Sequence, residues 1–228
     1  ECRSVGVADL NSDGDLDLVA ISKSGGDNLV VFFGFGDGTF SVPDAHTTGA
    51  GPVDLAIGDF DGVNGPDVAV VNNTASTVSI MLNDGAGGLS AAPPLPVPAN
   101  SNFIVAEDFD LDGAVDLAVT HFSAGTMTVF LGAGDGTFVV ERVYPAGAGP
   151  QRVGCADFDG DGAPDLGVPA FGDNVLRILF NTTETSAACP GDVDGDGTVD
   201  FTDLVALLAM WGPCVDCAAD FDASGSVD

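Results

Sequence analysis

Basic residues are scarce in this chain: 5 Lys and Arg stand against 35 Asp and Glu, a formal net charge of −30 at pH 7. Nucleic-acid binding needs a basic footprint, so that class is excluded, as is docking on an anionic membrane. No apolar run approaches the roughly 18 residues of a membrane-spanning helix. Histidine is limited to His46 and His121, and no matched Ser–His–Asp spacing or nucleophile elbow accompanies them, so the chain is not expected to be an enzyme. Arg142, Arg152 and Arg177 are too scattered to form an anion site. Cysteine is sparse and odd in number: Cys2, Cys155, Cys189, Cys214 and Cys217. Cys155 reads as an apolar substitute in a strand. The pair Cys214-x-x-Cys217, with Cys189 near it, reads as part of a disulfide whose partners are left open. The chain opens at Glu1 with no charged-then-apolar leader, so a signal peptide is expected to have been removed or to lie outside this sequence.

What is abundant is acid in a fixed pattern, in a chain that is 45% hydrophobic and has 32 Gly among 228 residues. That composition supports a packed core with many turns rather than a disordered acidic tail. The segments DLNSDGDLD (9–17), DFDGVNGPD (59–67), DFDLDGAVD (108–116) and DFDGDGAPD (157–165) start 50, 49 and 49 residues apart. A second landmark keeps step with them: FGFGDGTF (33–40), LNDGAGGL (82–89) and LGAGDGTF (131–138), while the fourth copy departs after Phe180 as FNTTETS. Each Asp-rich loop has a short apolar run before it and two after it, then a looser, Pro-bearing segment such as APPLPVP (92–98). Proline suits an edge strand. Three firm strands and one outer strand at this period predict the blades of a β-propeller.

Side-chain oxygens fall at positions 1, 3, 5 and 9 of the first, third and fourth loops. They belong to Asp9, Asn11, Asp13 and Asp17 in the first copy, to Asp108, Asp110, Asp112 and Asp116 in the third, and to Asp157, Asp159, Asp161 and Asp165 in the fourth. Asp15 stands at position 7, where the variety of side chains points to a backbone carbonyl. Alternating oxygens round a tight turn suit Ca²⁺, which takes 6–8 oxygen ligands, whereas Zn²⁺ would want His or Cys. Position 6 is Gly14, Gly113 and Gly162, where the turn calls for positive φ; the second copy has the tolerant Asn64 there. That copy has Val63 at position 5, so Asp59, Asp61 and Asp67 alone are expected to make a weak or empty site.

The loop D-x-D-x-D-G-x-x-D, followed by an apolar strand and then FG-x-GDGTF, resembles the FG-GAP/VCBS repeats of integrin-α-like propellers. The resemblance covers roughly residues 1–185, makes residues 1–182 propeller blades, and implies an extracellular, secreted or cell-surface, Ca²⁺-stabilised fold. Such propellers usually have more than four blades, so the ring is expected either to close with four or to need further repeats.

Past a linker at 183–190, residues 191–228 carry a different loop. Asp192, Asp194, Asp196, Asp200 and Asp203 sit at positions 1, 3, 5, 9 and 12, with Gly197 at 6 and Thr198 at 7. This is EF-hand spacing, and Leu204, Val205, Leu207, Leu208 and Trp211 follow at helical intervals before Gly212-Pro213. A partial second copy supplies Asp220, Asp222, Ser224 and Asp228. The tandem resembles a type I dockerin, which implies a small α-helical module and a cohesin-type partner. In all, 23 of the 35 acids lie in loops of these two kinds, so most of the charge has a local role. The function this supports is a calcium-binding platform for an extracellular protein or glycan, assembled through the dockerin-like module. The alternative is the non-catalytic part of a polysaccharide-degrading enzyme, or a propeller lectin. The sequons at Asn72 and Asn181 are short enough to arise by chance.

Overall fold

A computed structural model describes residues 2–22 and 28–182. The chain divides into two units, Glu1–Thr183 and Glu184–Asp228, and the described residues all belong to the first. They form antiparallel sheets without a helix. Blade 1 holds β1 (Cys2–Ala8), β2 (Asp17–Ser22), β3 (Leu29–Phe32) and β4 (Asp44–His46). Blade 2 holds β5 (Pro52–Gly58), β6 (Asp67–Asn72) and β7 (Thr77–Asn83), with an outer strand broken by proline into β8 (Leu89–Ala91) and β9 (Leu95–Pro96). Blade 3 holds β10 (Ser101–Glu107), β11 (Asp116–His121), β12 (Thr126–Gly132) and β13 (Phe138–Pro145). Blade 4 holds β14 (Gly154–Ala156), β15 (Asp165–Ala170) and β16 (Val175–Leu179). Each sheet runs in simple sequence order, as a meander does. A register shift recurs at one place in the innermost strand of the first three blades, between Cys2 and Ser4, Pro52 and Asp54, and Ser101 and Phe103.

Burial follows from where each sheet lies in the stack. In β6 and β11 every residue is buried, because each second strand is covered by a blade on both sides. In β2 burial alternates with the two-residue period of a strand, since one face meets blade 2 and the other does not. Odd and even positions therefore feed different cores: Val68 and Val70 join Val19, Ile21 and Val31, while Ala69 and Val71 join Ile104, Leu117 and Val119. A third core sets Ala118, Met127 and Val129 against Val153, Leu166 and Val168. Each fully buried aliphatic or aromatic side chain contributes about 1.5–3 kcal/mol.

The second residue of the Asp-rich loop is the plug of each core. Leu10 and Phe60 are fully buried and Phe109 nearly so. Its peptide joins two blades. The N–H is held within its own blade, and the carbonyl accepts a bond from the next: Asn83 Nδ2 to Leu10 O at 2.8 Å, Gly136 N to Phe60 O at 2.9 Å, Asn181 Nδ2 to Phe109 O at 2.6 Å. Asn83 and Asn181 also bond Pro66 O and Pro164 O in their own loops. The matching residues of blades 1 and 3 are Gly34 and Gly132, where a Cβ would fall 2.3 Å from Leu16 O or Val115 O. Blades thus alternate between an asparagine and a glycine design.

Candidate metal centre

The four Asp-rich loops each join the first strand of a blade to the second. Position 9 opens the second strand, and its carboxylate is fully buried in all four: Asp17, Asp67, Asp116 and Asp165. One oxygen accepts the N–H of the plug residue, at 2.8 Å from Leu10, 2.7 Å from Phe60, 2.8 Å from Phe109 and 2.8 Å from Phe158. The other accepts the N–H of the residue just after or at the end of the third strand, at 2.8 Å from Gly34, Asn83 and Gly132 and 2.6 Å from Asn181. Position 9 is therefore a staple across the blade as well as a candidate ligand. Each carboxylate oxygen has a second lone pair, so the two roles are compatible.

The remaining acids fold the loop back on itself. Asp9 and Asp108 accept the N–H groups of positions 5 and 6, the latter at 2.9 and 2.8 Å, and Asp157 does likewise with Gly162 at 3.0 Å. Asn11, Asp61, Asp110 and Asp159 accept the N–H two residues on. So do Asp13, Asp112 and Asp161, each at 2.8 Å. Such turns require left-handed backbone at position 6, met by Gly14, Gly113 and Gly162 at φ 90–93° and by Asn64 at φ 64°. Position 4 is left-handed too, at Ser12, Gly62, Leu111 and Gly160, which sequence reasoning missed because no residue type marks it.

Three of the loops bring an acid trio together: Asp59, Asp61 and Asp67; Asp108, Asp110 and Asp116; Asp157, Asp159 and Asp165. In each, the candidate ligand oxygens lie within 4.8 Å of one another. The second loop gathers its trio like the others, although Val63 points half into solvent where they have an acid. In the first loop the corresponding residues are Asp9, Asn11 and Asp17, with the Asn11 amide donating to Asp13 at 2.9 Å. Asp13, Asp112 and Asp161 lie outside the trios, and the Asp15 carboxylate sits against Gly36 of the GDGTF turn. Burial, with the neighbouring charges of Asp110 and Asp108 adding, pushes the Asp116 carboxyl up to about 6. Asp67 is raised by burial and by Asp61 and Asp59, and Asp110 by burial and by Asp112 and Asp108. The donor set is all oxygen, which fits a hard divalent cation. Asp192, Asp194, Asp196, Thr198, Asp200, Asp203, Asp220, Asp222, Ser224 and Asp228 lie outside the described residues, as does the expected helical module.

The GDGTF turns fold at the same end of the blades. Asp37 accepts both the N–H of Thr39 at 2.9 Å and its hydroxyl at 2.6 Å, and Asp135 does the same with Thr137, so these carboxyls are held below the usual range. Elsewhere, His121 is fully buried between two hydroxyls. Ser101 donates to Pro98 O at 2.6 Å, so its oxygen accepts from Nδ1 of His121 at 2.7 Å, and Nε2 accepts from Thr128 at 2.7 Å. Burial drops its pKa to about 4. Both sequons are structural: Asn72 is buried and bonded to Thr77 and Ser79, and Asn181 is the link between blades. Cys155 is half-buried in the third core, and burial raises its thiol to about 11.

The FG-GAP-like repeat model matches residues 9–62 and 108–168, which takes in the Asp-rich loops of blades 1, 3 and 4 and the start of the second. The chain belongs to the FG-GAP-like repeat family. No curated protein matches it in sequence. Among solved structures, this FG-GAP-like chain is similar to a protein from Bacteroides uniformis ATCC 8492 named as a candidate 6-phosphogluconolactonase. The TM-score is 0.60 at 19% identity, over 78% of this chain and 50% of that one. It is also similar to BBS1N in complex with ARL6DN (TM-score 0.56, 17% identity, 78% of this chain and 53% of that one). A Lactobacillus plantarum protein is a third (TM-score 0.54, 17% identity, 79% and 54%). The FG-GAP-like chain spans about half the length of these structures, and the likeness is one of fold: sheet-rich and propeller-like. The expectation that the chain is not an enzyme is corrected here. Its fold is shared with a candidate 6-phosphogluconolactonase, so the missing Ser–His–Asp pattern is no ground for excluding catalysis. Among the described residues no helix is long and apolar enough to cross a membrane.

Proposed function

We propose that the blades are a calcium-stabilised platform for binding another protein, secreted or displayed at a cell surface, with the segment 191–228 acting as a dockerin-like assembly module for a cohesin-type partner. The acid trios carry this reading: three times over, carboxylate oxygens from positions 1, 3 and 9 lie within 4.8 Å of each other. Asp59, Asp61 and Asp67, Asp108, Asp110 and Asp116, and Asp157, Asp159 and Asp165 would hold Ca²⁺, with Asp9, Asn11 and Asp17 as the first-blade set. Bound Ca²⁺ supplies the positive charge that offsets carboxylate repulsion. The chain's own part is to fix the oxygens, through the backbone N–H bonds to position 9 and the turns at positions 1 to 6. A rigid meander stack with short loops at one end suits protein contact.

The test is a calorimetric titration of the chelated 228-residue chain with Ca²⁺, with melting followed alongside. Several sites and a marked rise in melting temperature are expected. At a hundredfold excess over the dissociation constant, one site adds about 2.7 kcal/mol. Absence of both heat and stabilisation would remove calcium from the account.

A further inference from the structure

The four Asp-rich loops share one scheme of backbone bonds, and the second departs from it at a single dipeptide. In the first, third and fourth loops the position-7 N–H donates to the position-5 carboxylate at 2.8 Å: Asp15 to Asp13, Ala114 to Asp112, Ala163 to Asp161. The position-6 N–H of Gly14, Gly113 and Gly162 donates to the position-1 carboxylate at 2.9, 2.8 and 3.0 Å. In the second loop position 5 is Val63, whose side chain has no acceptor. Among the described residues, neither the Asn64 nor the Gly65 N–H has a protein partner. The loop is fastened on both sides of this pair. Upstream, Gly62 N donates to Asp59 at 2.8 Å and Val63 N to Asp61 at 3.0 Å. Downstream, Pro66 O accepts from Asn83 at 3.0 Å, and Asp67 is held by the N–H groups of Phe60 and Asn83. Asn64 itself takes φ 64°, a region where any residue but glycine is strained.

We propose that Asn64 is a self-modification site, whose side-chain amide is converted to a carboxylate by the chain's own backbone. The Gly65 backbone nitrogen attacks Cγ of Asn64, and the new Cγ–N bond closes a five-membered succinimide ring. The Cγ–Nδ2 bond breaks, and Nδ2 leaves as ammonia with the proton that Gly65 N gives up. Water then opens the ring. Addition at Cγ gives aspartate; addition at the main-chain carbonyl gives isoaspartate, with the backbone rerouted through Cβ and Cγ. No group is oxidised or reduced, and water is the sole co-reactant. Asn64-Gly65 is the one Asn-Gly pair in the chain, and glycine leaves the attacking nitrogen sterically open. Asn11 makes the contrast. Its amide donates to Asp13 at 2.9 Å and its Oδ1 accepts the Asp13 N–H at 3.2 Å, so both ends of that side chain are engaged. The product gives the second loop a fourth acid beside Asp59, Asp61 and Asp67, one place after the position where the other loops have theirs. The reaction needs no metal, so the inference stands apart from the calcium reading.

The test incubates the 228-residue chain in metal-free neutral buffer made with heavy-oxygen water, and follows each asparagine by peptide mass spectrometry. Near-ultraviolet dichroism before and after checks that the fold is kept. The reference is the free peptide FDGVNGPDV, residues 60–68, under the same conditions. Conversion at Asn64 is expected within about tenfold of the peptide's rate, with one heavy oxygen taken up per event and both aspartate and isoaspartate formed. Val63→Asp keeps the Asn-Gly pair and restores the position-5 carboxylate. It should slow conversion in the protein at least tenfold and leave the rate unchanged in a peptide carrying the same substitution. Val63 is 53% exposed among the described residues, so the variant disturbs no core. If it still fails to fold, Val63→Ser offers a hydroxyl acceptor in its place and should also slow the reaction. Conversion more than tenfold slower than in the free peptide overturns the proposal. So does a Val63→Asp protein that converts as fast as the original, since the missing bond would then not be what opens the site. Failure of the calcium titration leaves both results standing, because the incubation holds no metal.

Discussion

Phe60 and Phe158 hold the same place in two loops of one design. Each donates its N–H to a buried position-9 aspartate, at 2.7 and 2.8 Å. Yet Phe60 is fully buried and Phe158 is 50% exposed. The difference is the neighbour. Phe60 has blade 3 against it, with Gly136 bonding its carbonyl and Phe138 meeting its ring. Phe158 has no following blade among the described residues. The same contrast runs through the strands, from β6, buried at every position, to β16, exposed at four of five. A repeat sequence specifies a blade, but the stack decides what each blade buries.

Truncation of the two plugs tests the comparison most strongly. Phe60→Ala is expected to cost about 3–5 kcal/mol in urea unfolding, as buried aromatic deletions do, and Phe158→Ala less than about 1 kcal/mol. Similar costs would mean that the trailing face of blade 4 is covered in solution.

Acid titration is the next largest effect. His121 ends β11 between two blades, where blade 4 has Ala170 at the end of β15. The unfolded chain takes a proton on this histidine near 6.5, and the folded one only near 4. Stability is therefore unaffected above pH 6.5 and falls as pH drops through that window, by roughly 3 kcal/mol at its foot. His121→Asn should flatten this part of the profile of unfolding free energy against pH.

Smaller effects come from the links between blades. Asn83→Gly removes side-chain bonds to Leu10 O and Pro66 O and should cost about 1–2 kcal/mol, with blade 1 exchanging its amides faster. In the glycine design the reverse holds. Gly132→Ala places a Cβ 2.3 Å from Val115 O, a clash of about 1–3 kcal/mol. A neutral result for Gly132→Ala would show that the two designs are interchangeable.

Much of this was legible beforehand. The 49-residue period and the alternation of apolar runs predicted three firm strands and an outer one, and β10, β11, β12 and β13 follow that order. The GDGTF turns fall between third and outer strands, and Gly14, Gly113 and Gly162 take the positive φ that the loop spacing required. Less was legible at the site. The sequence left Asp59, Asp61 and Asp67 as a weak or empty site because of Val63, yet the three gather as the other trios do. The reason is that position 9 is fixed from outside the loop, by the N–H of Asn83 across the blade. Asn181 read as a chance sequon, because its partner, Phe109 O, lies 72 residues away in another blade.

By itself the sequence determined the blade: its period, its strand order, its tight turns and the crowding of carboxylates at positions 1, 3, 5 and 9. These depend on contacts within one repeat, which a local pattern of residue types can encode. Tertiary structure alone decided which carboxylates are buried staples and, among the described residues, which phenylalanine is core and which is surface. Those outcomes depend on the blade next door, and a strand shows both faces in its sequence without showing what will cover them.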